Sequence, residues 1–249
     1  MRRVTLAVLA RLWVPALVLV LWQLWVIAFH VPDLVMPGPI AVLQDLAANP
    51  GLYLDLAWST IRVAAIGLVL GMVFGLGLAV AGWSSPFFSG LVSPGAMMLR
   101  TIPITAMIPI IARLFGYSSN TVIAVAVLIS IFPAFVFASA GLRTVPGGAN
   151  DYFEVMRAGK MARLRRLALP AAIPNLMTAF RISAGLCILG ALIAEWLIGA
   201  DGLGHQLALA RIEFRVEEQW GVALVAAVLS VAAFLGATAL ERRAIERWT

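Results

Sequence analysis

The chain has 249 residues, of which 62% are hydrophobic and only 12% charged, with a mean hydropathy of +0.99. A soluble domain of this length cannot cover its surface with so few polar groups, so composition excludes that class and places the chain among membrane proteins. The net charge of +6 comes without a Lys/Arg stripe interleaved with aromatics outside the apolar runs, which argues against nucleic acid; a single cysteine, Cys187, excludes an intramolecular disulfide, and His30 and His205 lie too far apart to support a metal site.

A membrane-crossing helix needs about 20 mostly apolar residues. Six stretches qualify, at roughly 12–29, 61–83, 91–115, 121–142, 176–198 and 220–240. None alternates as barrel strands do, and lipid offers the backbone no partners, so all six are predicted as helices. The expected fold is all-α: a single polytopic bundle over 1–249. The first stretch follows Arg2, Arg3 and Arg11. It holds Trp13, Trp22, Gln23 and Trp25 and ends without a small-residue cleavage site, so it reads as a retained helix. The prolines of Val31–Ile40 fix a rigid turn, and residues 41–48 read as a short helix before Asn49-Pro50-Gly51. In the second span Gly67, Gly71 and Gly75 recur at every fourth position, a pattern for close backbone approach between helices in lipid.

The third span is broken by Arg100, Pro103, Pro109 and Arg113. An arginine at mid-bilayer costs about 2.5–3.5 kcal/mol on the insertion scale, so this helix is expected to face a neighbour, a partner chain or water. Arg100, Pro103 and Arg113 are therefore candidates for a translocation pathway, with snorkelling of the two arginines to the surfaces as the alternative. Glu195, near the end of the fifth span beside Gly199–Gly204, is a fourth candidate, either as a gate or as the partner of an intramembrane arginine. Arg181, at the other end of that span, reads as a snorkelling anchor.

Between the fourth and fifth spans lies a long polar connection, about 143–174. Its segment 151–174, DYFEVMRAGKMARLRRLALPAAIP, is basic and amphipathic and is closed by Pro170 and Pro174. The spacing of Val155, Met156, Met161, Leu164, Leu167 and Leu169 predicts a short helix, a turn near Gly159, and a second helix leading into the membrane. The two prolines are expected at the start of the fifth span, where missing donors matter little. Arg143, Arg157, Lys160, Arg163, Arg165 and Arg166 lie in or beside this connection, with Arg2, Arg3 and Arg11 at one terminus and Arg242, Arg243 and Arg247 at the other. The acidic Asp33, Asp45, Asp55, Asp201, Glu213, Glu217 and Glu218 fall on the opposite side. The positive-inside bias then places both termini in the cytoplasm.

Here the chain resembles the permease subunits of bacterial ATP-binding-cassette importers, in the branch that handles nitrate, sulfonates, taurine and related solutes. The family carries a cytoplasmic loop of pattern Glu-Ala-Ala, a glycine three residues on, and a closing Leu-Pro. Aligned from Leu169-Pro170, the acidic position falls on Asp151 and the glycine position on Arg157, a departure; Gly159 takes that place only if the loop is shortened. Met36-Pro-Gly-Pro-Ile, Ser59-Thr-Ile-Arg-Val, Ile102-Pro-Ile-Thr-Ala-Met-Ile-Pro-Ile, Phe115-Gly116, Ala194-Glu195 with Gly202-Leu-Gly204, and the basic tail ending in Trp248 extend the likeness over nearly the whole chain. Arg113 departs from the family's usual aliphatic residue.

The resemblance implies an inner-membrane permease that pairs with a second permease chain, expected as a homodimer. It implies a coupling helix on a soluble ATPase dimer and an extracytoplasmic binding protein that delivers substrate. Asp151, Glu154, Val155, Arg157, Ala158, Gly159 and Leu164 are the expected ATPase contacts. No Gly-x-x-x-x-Gly-Lys-Ser/Thr phosphate loop is present, so ATP and magnesium belong to the partner ATPase and this chain is expected to hold no cofactor and catalyse no reaction. Arginines on a pathway suit a small anion such as nitrate, taurine or another sulfonate. The alternatives are a neutral vitamin precursor carried by the same machinery, or an ATP-independent channel or carrier. An intramembrane protease lacks its residues: no membrane aspartate pair and no His-Glu-x-x-His are present.

Overall fold

The computed structural model describes residues 2–91, 95, 102–145 and 147–246, with backbone alone at 2–12, 14 and 15. The described chain is helical throughout, without strands: α1 Arg2–Ala28, α2 Pro39–Ala48, α3 Pro50–Ser84, α4 Ile104–Phe115, α5 Ser119–Arg143, α6 Gly147–Val155, α7 Lys160–Ile198, α8 Leu203–Ile212 and α9 Val216–Ile245. Four of these, α3, α5, α7 and α9, are long and apolar enough to cross a membrane. The apolar part of α1 (Ala16–Ala28) and α4 are shorter; α4, which starts just after Pro103, is the later part of the expected third span, of which 92–94 and 96–101 lie outside the described residues. Pro103 explains that start: its extended backbone caps α4, and the ring fixes φ where a helix arriving from the other side would need a donor.

The second span starts earlier than hydropathy suggests. Asn49 ends α2, and Pro50 occupies the first position of α3, where its missing N–H is harmless. No breaker follows before Ser84, so α3 runs for 35 residues, about 52 Å at 1.5 Å per residue. That exceeds a hydrocarbon core of about 30 Å, so α3 projects beyond it.

α3, α5 and α7 form the centre. A Cβ built on Gly71 would lie 1.8 Å from Ser130 Oγ, and one on Gly75 would lie 2.5 Å from the Ala134 Cβ, so the glycine stripe lets α3 and α5 touch backbone to backbone. Ser130 Oγ donates within α5 to the Ala126 carbonyl at 2.9 Å, which keeps this hydroxyl satisfied in a dry contact. Three buried clusters stack along the bundle. Tyr53, Leu203 and Val222 lie at one end, Val63, Val125, Cys187 and Ala191 in the middle, and Phe135, Leu142, Leu164 and Ala172 at the other.

Charge separates by end. The end holding α2 and α8 carries Asp45, which accepts from the Tyr53 hydroxyl, and Glu218, which accepts from Gln206 and Arg215. Burial alone would lower the Arg215 pKa, but the hydrogen bond to Glu213 and the charge of Glu218 outweigh it and hold the guanidinium above its ordinary value. The opposite end carries Arg143, Lys160, Arg163 and Glu241, the last paired with Arg181 at 3.1 Å.

Candidate functional site

The elbow between α6 and α7 is built by backbone chemistry. α6 closes with the Ala158 N–H on the Phe153 carbonyl (3.0 Å) and the Arg157 N–H on the Glu154 carbonyl (2.9 Å). That pair of bonds is a Schellman closure, which needs a left-handed residue at its centre, usually glycine. Arg157 takes that role at φ 48°. Gly159 sits in ordinary extended backbone at φ −65° and caps Lys160. The ungapped alignment therefore matches the geometry: Arg157 occupies the position where a glycine is expected, and no shortening of the loop is required. Arg163 Nη2 donates to Asn150 Oδ1 at 3.0 Å and ties the two arms of the elbow together.

No residue of α6 is buried. Val155 is 82% exposed, and Tyr152, Met156 and Met161 are exposed beside it, so the first half of the apolar face foreseen for the loop is turned outward, while Leu167 and Leu169 are half-buried. Asp151, Glu154, Arg157 and Gly159 are also exposed, and Ala158 is half-buried. Leu164 differs from the others: it is 8% exposed and packs into the cluster with Phe135 and Leu142. The reason lies in a π-turn at Leu164–Ala168, which widens the helix just before Pro170 and shifts the phase of the residues around it. α7 is continuous from Lys160 to Ile198; Pro170 stands at the start of its regular α-helical part after the π-turn, as expected, whereas Pro174 lies inside it.

Among the described residues, Pro103, Arg113 and Glu195 share no hydrogen bond or ion pair. Arg100 lies outside the described residues. Pro103 is exposed and is flanked by Ile102 and Ile104, which line an apolar cavity of about 550 Å³ between α4, α5 and α7. Phe132, Leu189 and Ile193 form other walls, and none of the described lining residues is charged. Arg113 is exposed in the last turn of α4, where a cation suits the helix C-terminus.

Glu195, the fourth candidate, is fully buried, and its Oε1 has no hydrogen-bond partner among the described residues. The Thr60 hydroxyl donates to Glu195 Oε2 at 3.0 Å, and the Gly204 N–H donates to the same oxygen at 2.9 Å. Thr60 Oγ1 in turn accepts the Leu203 N–H at 3.0 Å, so one carboxylate and one hydroxyl join α3, α7 and α8. A Cβ on Gly202 would sit 2.3 Å from the carboxyl carbon, and Gly202 also has φ 151°, which explains the glycine on both counts. Among the described residues Glu195 forms no ion pair, so the intramembrane arginine partner is not found there. Sequence reasoning missed Thr60, whose small hydroxyl gives no local signal, and read the exposed Met156 and Met161 only as an apolar face. Among the described residues no group of three or more metal-ligating side chains exists.

A bundle with an outward-facing amphipathic elbow at its basic end is the geometry on which the comparisons bear. The family described as binding-protein-dependent transport system inner membrane component matches residues 67–247. The chain belongs to that family. It is 28% identical to a probable ABC transporter permease protein of Haemophilus influenzae, over 91% of this chain and 93% of the relative. A nitrate import permease protein of Synechocystis is 30% identical over 76% of this chain and 72% of that protein, and a formylaminopyrimidine transport permease protein of Halalkalibacterium halodurans is 29% identical over 91% and 89%. Among solved structures, an inward-facing MetNI methionine ABC transporter chain superposes with a TM-score of 0.69 at 19% identity, covering 79% of this chain and 98% of that one. At that identity the likeness concerns the fold. The family match begins at Gly67, the first glycine of the α3–α5 contact, and takes in the elbow and the Glu195, Gly202 and Gly204 side of the latch formed with Thr60.

Proposed function

We propose that this permease is the membrane-crossing subunit of an ATP-driven importer and that a partner ATPase docks on the α6–α7 elbow. One observation carries the reading: Tyr152, Val155, Met156 and Met161 form an exposed apolar face ringed by Asp151, Glu154 and Arg157, at the basic end of the bundle. An apolar centre with a charged rim is the anatomy of a protein–protein contact. The basic end is then cytoplasmic, with both termini on that side. Because α7 is continuous from Lys160 to Ile198, movement of the elbow is carried into the bundle centre as a rigid lever. A second copy of the chain completes the pore, and a soluble or anchored binding protein delivers substrate at the Asp45/Glu218 end. ATP and magnesium reside on the ATPase, and this chain's part is translocation without chemistry.

The cargo proposed is a small anion, in line with relatives named for nitrate and for aliphatic sulfonates. A neutral heterocycle is favoured by a different observation, the uncharged described lining of the 550 Å³ cavity, and agrees with the relative named for formylaminopyrimidine. A thermal-shift screen of the cognate binding protein separates the two: stabilisation by nitrate or a sulfonate supports the anion, and stabilisation by neutral heterocycles alone rejects it. The docking proposal is tested by combining Asp151→Lys, Glu154→Lys and Arg157→Glu. Co-purification of the ATPase is expected to be lost while membrane levels of the permease hold. Retained association refutes the elbow as the dock.

A further inference from the structure

Beside the elbow is a cleft that lies apart from the exposed face of Tyr152, Val155, Met156 and Met161. Two cavities of about 240 and 340 Å³ share Trp83 and Arg163 as walls; Arg143 and Asn150 also line the first, and Ala158 and Lys160 the second. The cleft lies where α3 ends at Ser84 and α5 ends at Arg143, that is, at the membrane-facing edge of the basic end. Its three cations are held only by neutral oxygens. Arg143 Nη2 donates to Ser89 Oγ at 3.4 Å, Arg163 Nη2 to Asn150 Oδ1 at 3.0 Å, and Lys160 Nζ to the Ser84 carbonyl. Among the described residues none of the three makes an ion pair, whereas Arg181 and Arg215 elsewhere are neutralised by Glu241 and by Glu213 and Glu218. Each cavity is lined by two such cations, Arg143 with Arg163 in one and Lys160 with Arg163 in the other, a potential that an anion relieves, and the arginine fork matches phosphate oxygens in geometry.

We propose that this cleft binds the phosphate of an anionic phospholipid headgroup, and that the lipid thereby braces the elbow. Two features select a lipid over a dissolved phosphate. Trp83 walls the cleft, and Phe87 and Phe88 are exposed on the helical turn 86–91 next to it, the aromatic arrangement found at headgroup level. Basic pockets between membrane helices at the cytoplasmic surface are the usual seats of such headgroups. Asn150 and Arg163 belong to the two arms of the elbow, so a bound headgroup fixes their angle. The inference rests on the basic end facing the cytoplasmic leaflet, but its test does not, because a nanodisc exposes both leaflets.

The full-length protein is placed in phosphatidylcholine nanodiscs with increasing phosphatidylglycerol, and retained lipid is counted by native mass spectrometry. Wild type is expected to hold phosphatidylglycerol selectively. Arg143→Gln with Arg163→Gln is expected to weaken retention roughly thirtyfold, on the usual worth of two basic side chains at an anionic surface. Arg143→Lys with Arg163→Lys keeps the charge and is expected to keep most of the binding, which separates loss of the site from loss of the fold. Millimolar inorganic phosphate is added in a parallel arm. Unchanged phosphatidylglycerol retention in the glutamine variant overturns the proposal. So does protection by inorganic phosphate with no lipid selectivity, which would make the cleft a seat for a dissolved anion.

Discussion

The Glu195 latch and the α6–α7 elbow sit at opposite ends of α7 and solve opposite problems. At the latch, Thr60, Gly202 and Gly204 surround one carboxylate, whose Oε2 is bonded within the chain while Oε1 is buried without a hydrogen-bond partner among the described residues. At the elbow, large apolar side chains are left outside, and among the described residues its basic residues make no ion pair. A region bonded mainly within itself is a structural joint. A region that leaves apolar and charged groups open is built for something that arrives. Substitutions at the latch should therefore act on stability, and those at the elbow on association.

The largest effect is expected from Gly202→Ala. The added Cβ meets the Glu195 carboxyl at 2.3 Å and strains a backbone at φ 151°. Together these should remove about 3 kcal/mol or more of stability, seen as a large drop in the thermal midpoint of the detergent-purified permease. ATPase affinity of the surviving folded fraction should be unchanged. Next comes Val155→Asp with Met156→Asp, which should weaken ATPase binding on the order of thirtyfold or more, the scale of losing one interface anchor, with the thermal midpoint intact. A midpoint that falls instead would turn the elbow into a second joint. Thr60→Val strands the Leu203 N–H and one acceptor site of Glu195, and should lower stability by about 1–2 kcal/mol as read by thermal unfolding.

The smallest effect is expected from Arg157→Gly. Glycine relieves the left-handed backbone at φ 48° but loosens the unfolded chain, so the net gain should be no more than about 1 kcal/mol. A loss of stability would show that the Arg157 side chain supports the elbow in some other way.

Hydropathy made the spans legible, and the every-fourth-residue glycines announced the α3–α5 contact, because both signals are local and repeat. Boundaries were less legible: α3 extends eleven residues before Ile61 because nothing after Pro50 breaks the helix. The elbow was visible as an amphipathic segment, but the register of Leu169-Pro170 left its closing residue open between Arg157 and Gly159. The burial of Leu164 was not legible because a regular helical period cannot anticipate a π-turn. The Glu195 contact was hidden for a different reason. A carboxylate near a helix end looks like an interface residue, and its partner Thr60 is 135 positions away. Long-range pairing of that kind leaves no mark in the neighbouring residues.

The central claim is that the outward face of the elbow is covered by the ATPase. Val155→Cys provides the direct reading, in a Cys187→Ala background that removes the buried native thiol. A membrane-impermeant maleimide should label the new thiol rapidly in the isolated permease and slowly once the ATPase is assembled on it. Equal labelling rates in the two states would show that the face stays open to water, and would contradict the account.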